Sequence, residues 1–188
     1  VGMNVIDKYK QWEVDLIRQD VQAKTFPYAI CMINLEYDFN FGTLVRNSNG
    51  FGVRDVYYVS EKKKWDKRAA VGTYNYTNVN QITIDDLLNM RSTHSLVAIE
   101  NNVESVPLGS FKWPKNPLII MGSENQGIPQ YILDQCHYTV EIPMFGSVRS
   151  LNVGTASGIV LNDYVTKTSL SGRGSFSPTK SFRNLIRR

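Results

Sequence analysis

Two histidines, His94 and His137, and two cysteines, Cys31 and Cys136, are the chain's whole stock of imidazole and thiol. Neither histidine sits in a cluster with ligand spacing, so metal catalysis and a histidine general base are both disfavoured, and no metal site is expected. The cysteines lie more than 100 residues apart in apolar stretches and read as core thiols, not as a disulfide framework or a metal knuckle. Gly122 to Gly127 has the Gly-x4-Gly frame of a phosphate loop, but Ile128 and Pro129 stand where Lys and Ser/Thr are required. Gly50-Phe51-Gly52 precedes a strand and lacks a third glycine, which makes it a turn and not a dinucleotide fingerprint. With no Gly-x-Ser-x-Gly elbow either, the common hydrolase designs fall away.

A different set of polar residues remains. Arg46, beside Leu44 and Val45 near the start of a helical pattern, reads on its own as a salt-bridged surface arginine. Arginine stays protonated below a pKa of ~12, so a general-base role would need strong perturbation. Asn40 reads as a helix N-cap or as the residue that holds Arg46 or its loop. Glu124, in a glycine loop, reads as a solvated carboxylate or as a partner for Arg46 or for nearby amides. Ser150 and Asn152 stand two apart at the opening of the last helical pattern, where serine caps and asparagine binds backbone. Gly122 suits a close backbone approach. Phe145, Trp65 and Tyr74 are base-stacking candidates that are not ranked above ordinary core aromatics.

The elements that must position these residues follow from periodicity. At 188 residues the chain fits one domain on the usual ~100–200 residues per domain. Its 42% hydrophobic and 20% charged composition builds one core. Apolar residues at helical spacing predict an amphipathic helix over 4–24, ended by Pro27. Short apolar runs at 29–34, 55–60, 95–99, 118–121 and 139–142 predict strands. Helical patterns at 41–51, 84–90, 129–135 and from about Ser150 lie between and after them. Alternating strands and helices make an α/β fold with a mostly parallel sheet and flanking helices, whose ligand crevice lies beyond the carboxyl ends of the strands.

Charge is uneven. The last 25 positions hold six cations and no acid, against a net charge of +4 for the whole chain, so the body is slightly acidic and the tail basic. Lys62, Lys63, Lys64, Lys67 and Arg68 surround Trp65. Cations around a flat ring suit a polyanion that carries bases, and nucleic acid is the leading partner class, against a solvated loop and tail as the alternative. The longest apolar run is six residues, Tyr28 to Ile33, far below the ~20 that cross a bilayer, and no leader-like segment is read. No membrane association and a cytoplasmic location are expected.

Three segments together resemble the SpoU (TrmH-like) branch of the SPOUT superfamily, the knotted RNA 2′-O-ribose methyltransferases. They are Asn40-Phe41-Gly42-Thr43-Leu44-Val45-Arg46, then Leu118 to Ile128 with Gly122-x-Glu124-x-x-Gly127, then Ile142-Pro143-Met144-Phe145-Gly146 followed by Ser150-Leu151-Asn152-Val153 and Ala156. The resemblance spans roughly residues 20–166. It implies a C-terminal trefoil knot, S-adenosylmethionine as methyl donor, and donor contacts from Ile99, Gly122, Ile142, Met144, Ser150 and Leu151. It implies catalytic roles for Arg46, Asn40, Glu124 and Asn152, with Arg46 either activating the 2′-hydroxyl or, more easily for a cation, gripping the adjacent phosphate and stabilising charge. It also implies a homodimer with Arg46 serving the partner's site, and an RNA substrate, with tRNA first and rRNA second. The expected organisation is an N-terminal helix over 1–26, the methyltransferase domain over 27–168 and a basic flexible tail over 169–188. Two positions depart from the family pattern, Asn47 after the motif arginine and Gly154 after Asn-Val. The rival readings are a SpoU-like RNA-binding protein without catalysis, and a nicotinamide-dependent oxidoreductase that the missing fingerprint disfavours.

Overall fold

The structure, a computed structural model, describes residues 5–33, 38–61, 64–123 and 126–170. Seven strands form one sheet: β1 Phe26–Met32, β2 Val53–Tyr58, β3 Val79–Gln81, β4 Ser95–Ile99, β5 Val106–Pro107, β6 Pro117–Met121 and β7 Tyr138–Glu141. Their order is β3-β2-β1-β6-β4-β7-β5, and every pairing is parallel. Five α-helices accompany them: α1 Val14–Gln22, α2 Asp38–Gly50, α3 Ile84–Asn89, α4 Gln130–Leu133 and α5 Val153–Leu170. The expected α/β architecture is therefore observed, with a sheet that is parallel throughout.

Alternation along the three central strands divides the core in two. Tyr28, Ile30 and Met32 join Val97, Ile99, Ile119 and Met121 on one face, against Leu44 and Val45 of α2 and Val160, Leu161 and Tyr164 of α5. Ala29, Cys31 and Ile33 join Leu96, Ala98, Leu118 and Ile120 on the other, against Leu87 of α3 and Ile132 and Leu133 of α4. With both faces covered, every position of Tyr28–Met32, Leu96–Ile99 and Pro117–Met121 gains from being apolar, and this is why these strands read as apolar runs. The rings of Tyr28 and Tyr164 stack at 3.9 Å and lock α5 onto the sheet.

The helix expected over 4–24 is observed as two pieces. A 3-10 turn at Asp7–Tyr9 precedes α1, and Glu13 between them is extended at ψ 148°. The break folds the chain back so that the Lys8 ammonium, the Tyr9 hydroxyl and the Lys24 ammonium each lie 2.6 Å from Asp20 Oδ2. Tyr9 and Ile17 then close a small separate core with Tyr76. Strands β3 and β5 lie outside the sequence-based expectation: with three residues and two they carry no readable period, and they are held by the neighbours they pair with.

Candidate functional site

Beyond the carboxyl ends of β4, β6 and β7, three loops enclose a cleft of about 320 Å³. Ile99 from β4, Gly122 from the β6 loop, and Ile142, Ser150 and Leu151 from the β7 loop all line it. Five of the six positions expected to contact a donor thus converge from segments up to 52 residues apart, while Met144 stands half-buried outside the lining. The floor is apolar, with Met121, Leu133 and Val153, and the rim is polar, with Glu100, Asn101, Asn102 and Gln126. That mixture fits a small molecule that has a flat, weakly polar body and charged ends. In sequence, Glu100-Asn101-Asn102 is one of the polar loops that fall at the crevice beyond the strands' carboxyl ends, with no separate role legible for any of the three.

The β6 loop is a tight return. Gly127 N donates to Ser123 O at 3.0 Å, and Ser123 and Gly127 form an antiparallel bridge. A Cβ on Gly122 would stand 2.5 Å from Gly127 O and 2.8 Å from Ile128 N. Only glycine lets the two arms of the loop meet at this point. Glu124 and Asn125 lie outside the described residues.

The other expected catalytic residues flank the cleft without lining it. Asn152 Nδ2 donates to Asn40 Oδ1 at 3.0 Å, and Asn152 Oδ1 accepts from Thr155 N at 3.2 Å. Asn152, not Ser150, is therefore the N-cap of α5, and Asn40, inside α2 instead of capping it, ties the starts of the two helices together. Seven positions on, Asn47 Nδ2 donates to Gly154 O at 3.0 Å and to Ser157 Oγ at 3.1 Å. The two departures from the family pattern thus meet through the Gly154 carbonyl, while the glycine that leaves room for the Asn47 amide is Gly158, where a Cβ would stand 3.3 Å from Asn47 Nδ2. Gly154 has no slack, because a Cβ there would stand 2.9 Å from Thr43 Cγ2.

Arg46 is exposed on α2 and pairs with no carboxylate among the described residues. The segment after β2 crosses the same helix so closely that a Cβ on Gly42 would stand 2.9 Å from Ala69 Cβ. This crossing puts the exposed Lys64, Lys67 and Arg68 on the α2 side of the molecule. Arg68 is spoken for, with its Nε 2.9 Å and its terminal nitrogen 2.6 Å from Asp66 Oδ2. Trp65 packs edge-on against Phe41 at 4.9 Å and Tyr74 at 6.1 Å, and both Trp65 and Tyr74 lie half-buried against the core. Phe145 alone of the three stacking candidates faces solvent, 97% exposed. Lys62, Lys63 and residues 171–188, where most of the basic tail falls, lie outside the described residues.

Burial pushes the Cys31 thiol far up, as expected of a core thiol, and pushes that of Cys136, which is half-buried at the edge of the core, up to about 11. Among the described residues no His/Cys/Asp/Glu group could hold a metal ion, and no helix is long and apolar enough to cross a membrane.

The profile of the SpoU rRNA Methylase family matches residues 27–162. A tRNA (guanosine(18)-2′-O)-methyltransferase of Aquifex aeolicus is 27% identical over 167 residues, 86% of this chain and 78% of that protein. The Saccharomyces cerevisiae tRNA (guanosine(18)-2′-O)-methyltransferase is 28% identical over 107 residues, 54% of this chain but only 8% of that protein's length. The crystal structure of the A. aeolicus TrmH/SpoU tRNA modifying enzyme superposes with a TM-score of 0.77 at 25% identity, covering 87% of this chain and 88% of that one. An AdoMet-bound rRNA methyltransferase from Sinorhizobium meliloti shares the fold, with a TM-score of 0.69 at 21% identity over 78% of this chain and 58% of that one.

Proposed function

Because the chain belongs to the SpoU rRNA Methylase family, we propose that it methylates the ribose 2′-hydroxyl of a structured RNA, with tRNA the first substrate class and rRNA the second. The observation that carries this reading is the convergence of Ile99, Gly122, Ile142, Ser150 and Leu151 on one cleft. S-adenosylmethionine, when bound there, supplies an electrophilic methyl group on a sulfonium. The residues present fit it: Gly122 keeps the cleft wall free of a side chain, and the floor of Met121, Leu133 and Val153 excludes water from an apolar body. Glu124 stays in the proposal as a partner for Arg46 or for the amides of the third motif.

Methyl transfer to an alcohol breaks the carbon–sulfur bond as the carbon–oxygen bond forms, and the hydroxyl must shed its proton. Arg46 fits the charge side of that demand. A guanidinium remains cationic at neutral pH, so it stabilises the developing oxyanion or grips the neighbouring phosphate, and the hydroxyl proton passes to solvent water. Asn152 and Asn40 act by fixing α5 against α2, the helix that carries Arg46.

Arg46 does not line the cleft of its own chain, and this supports a homodimer in which it serves the partner's cleft. A methyltransferase unit over 27–168, closed by a C-terminal trefoil knot, with the first 26 residues and the basic 169–188 tail as RNA contacts, completes the proposed organisation. A cytoplasmic location goes with an RNA substrate. The noncatalytic alternative is not favoured, since the relatives are named as methyltransferases.

Incubation with methyl-labelled S-adenosylmethionine and total tRNA or rRNA, followed by nucleoside analysis, tests the reading. Label on a ribose 2′-oxygen, lost in Arg46→Ala while donor binding persists, is expected. Label confined to bases, or an active Arg46→Ala protein, would refute it.

A further inference from the structure

Strand β4 ends in two side chains that turn opposite ways, each reaching one of the other two loops of the cleft. The Glu100 amide continues the ladder by donating to Val140 O at 3.0 Å, while its carboxylate crosses to the β6 loop. There Oε2 accepts from Ile128 N at 3.1 Å, and Oε1 accepts from Asn102 N at 3.1 Å and Asn102 Nδ2 at 3.0 Å. A Cβ on Gly127, which sits at φ +62°, would stand 2.7 Å from Glu100 Oε2. This contact gives Gly127 a steric reason to be glycine beside its left-handed backbone.

Asn101 reaches the other way. Its Nδ2 donates to Ile142 O at 2.8 Å and to Arg149 O at 3.1 Å, and its Oδ1 accepts from Ile142 N at 3.0 Å. The partners fix the orientation of the amide, since two carbonyls need a donor and one N–H needs an acceptor. Ile142 and Arg149 are the two feet of the 142–149 excursion, and Arg149 leads straight into Ser150 and Leu151 on the cleft wall. One side chain therefore pins both feet of a loop that offers little apolar burial to hold itself, with Phe145, Val148 and Arg149 all exposed.

We propose that Asn101 is a positioning residue: it clamps the feet of the 142–149 loop so that Ile142, Ser150 and Leu151 are already set to receive the methyl donor, and Glu100 does the same for the β6 loop. The proposal rests on the donor occupying this cleft. Three of the amide's four hydrogen-bonding capacities are taken by the clamp, so its contribution runs through the wall and not through contact with reacting atoms. Preformed walls spare the donor the ordering cost of the loop, and donor affinity is what the clamp sets.

Two variants and two readouts test this on the full chain. Asn101→Ala removes the clamp. Asn101→Asp keeps the size and the acceptor for Ile142 N but turns both donations into oxygen–oxygen repulsion. Both should weaken S-adenosylhomocysteine binding, measured by calorimetry, at least tenfold, with Asp no better than Ala. The thermal midpoint without donor should fall by a few degrees as well, because three hydrogen bonds go with the clamp, so binding is measured at a temperature where both variants are folded. Turnover at saturating donor should fall much less than the affinity does. Without donor, limited trypsin digestion should cut after Arg149 faster in both variants than in the unaltered chain, because the foot is released. An affinity within twofold of the unaltered protein in either folded variant, or unchanged cutting at Arg149, would overturn the proposal. If the unaltered protein failed to bind S-adenosylhomocysteine, the placement of the donor would fall, while the trypsin result would still decide whether Asn101 clamps the loop.

Discussion

Gly122→Ala adds one methyl group, and the geometry says where it goes. Its backbone lies outside the left-handed region, so alanine costs nothing in φ and even removes some freedom from the unfolded chain, worth about 0.4–1 kcal/mol in the protein's favour. Against that gain, the new carbon would stand 2.5 Å from Gly127 O and 2.8 Å from Ile128 N, both main-chain atoms that cannot swing away as a side chain would. Relief requires the 127–128 arm to back off, which breaks the Gly127 N to Ser123 O bond and the Ile128 N to Glu100 carboxylate bond. A neutral hydrogen bond is worth about 0.5–1.5 kcal/mol net and one to a charged group about 1.5–3, so with the unfolded-state gain set against them the variant should lose roughly 1–4 kcal/mol. For a chain of this size that is a fall in Tm of roughly 2–16 °C by calorimetry, at about 2–4 °C per kcal/mol. Donor binding should drop with it, since the displaced arm is a wall of the cleft. Gly109→Ala is the control: a Cβ there meets nothing within 4 Å, and its melting should match or slightly exceed that of the unaltered protein. A Gly122→Ala protein that melts within a degree of the unaltered one and binds donor equally well would refute the reasoning.

Three more expectations follow from the geometry. Hydrogen bonds from Lys24, Lys8 and the Tyr9 hydroxyl hold the Asp20 carboxyl well below the usual carboxylate range. A depressed pKa stabilises the fold fully above the unfolded value of ~3.9 and less as pH falls through the folded one, so the stability gap between Asp20→Asn and the unaltered protein should be present at pH 7 and close in acid titrations below about pH 4. Double-mutant melting of Asn47→Ser and Gly154→Ser should show a coupling of at least about 0.5 kcal/mol, because Asn47 bonds to Gly154 O and both pack at the same turn; simple additivity would dissolve the claim that the two positions meet. At pH 8 an aromatic disulfide reagent should leave Cys31 untouched and modify Cys136 slowly, its thiol being pushed up to about 11, and rapid reaction of either in the native protein would contradict their burial.

What could be read in the sequence depended on whether the cause was local. The runs 29–34, 95–99 and 118–121 declared themselves because a strand covered on both faces has no polar position to spare. The helix over 4–24 was misjudged in extent because helical spacing also serves a turn and a helix folded on each other, and the tie to Asp20 that decides between them joins residues 11 and 12 positions apart. At the site, Gly122 was legible as a residue type, but its reason, the main chain of Gly127 and Ile128 lying against it, belongs to the folded loop. Asn152 was legible as a backbone binder, although the cap fell to it and not to Ser150. Glu100 and Asn101 stayed hidden because the atoms they hold are main-chain groups 28 and 41 residues further on, and any residue type supplies those.

The place of β6 in the sheet governs the order in which the chain can assemble. Strands β1 and β4 meet only through β6, the sixth strand to be made. A growing chain that has not yet delivered Pro117–Met121 carries two apolar strands with open edges and no partner for either side of the gap, a state that invites pairing with another chain. Closing the sheet then requires a late segment to find two early ones at once, and α5 must still settle on α2 across 107 residues at Asn47 and Gly154. Refolding should accordingly be slow for a domain of this length, with its rate set by the insertion of this one strand.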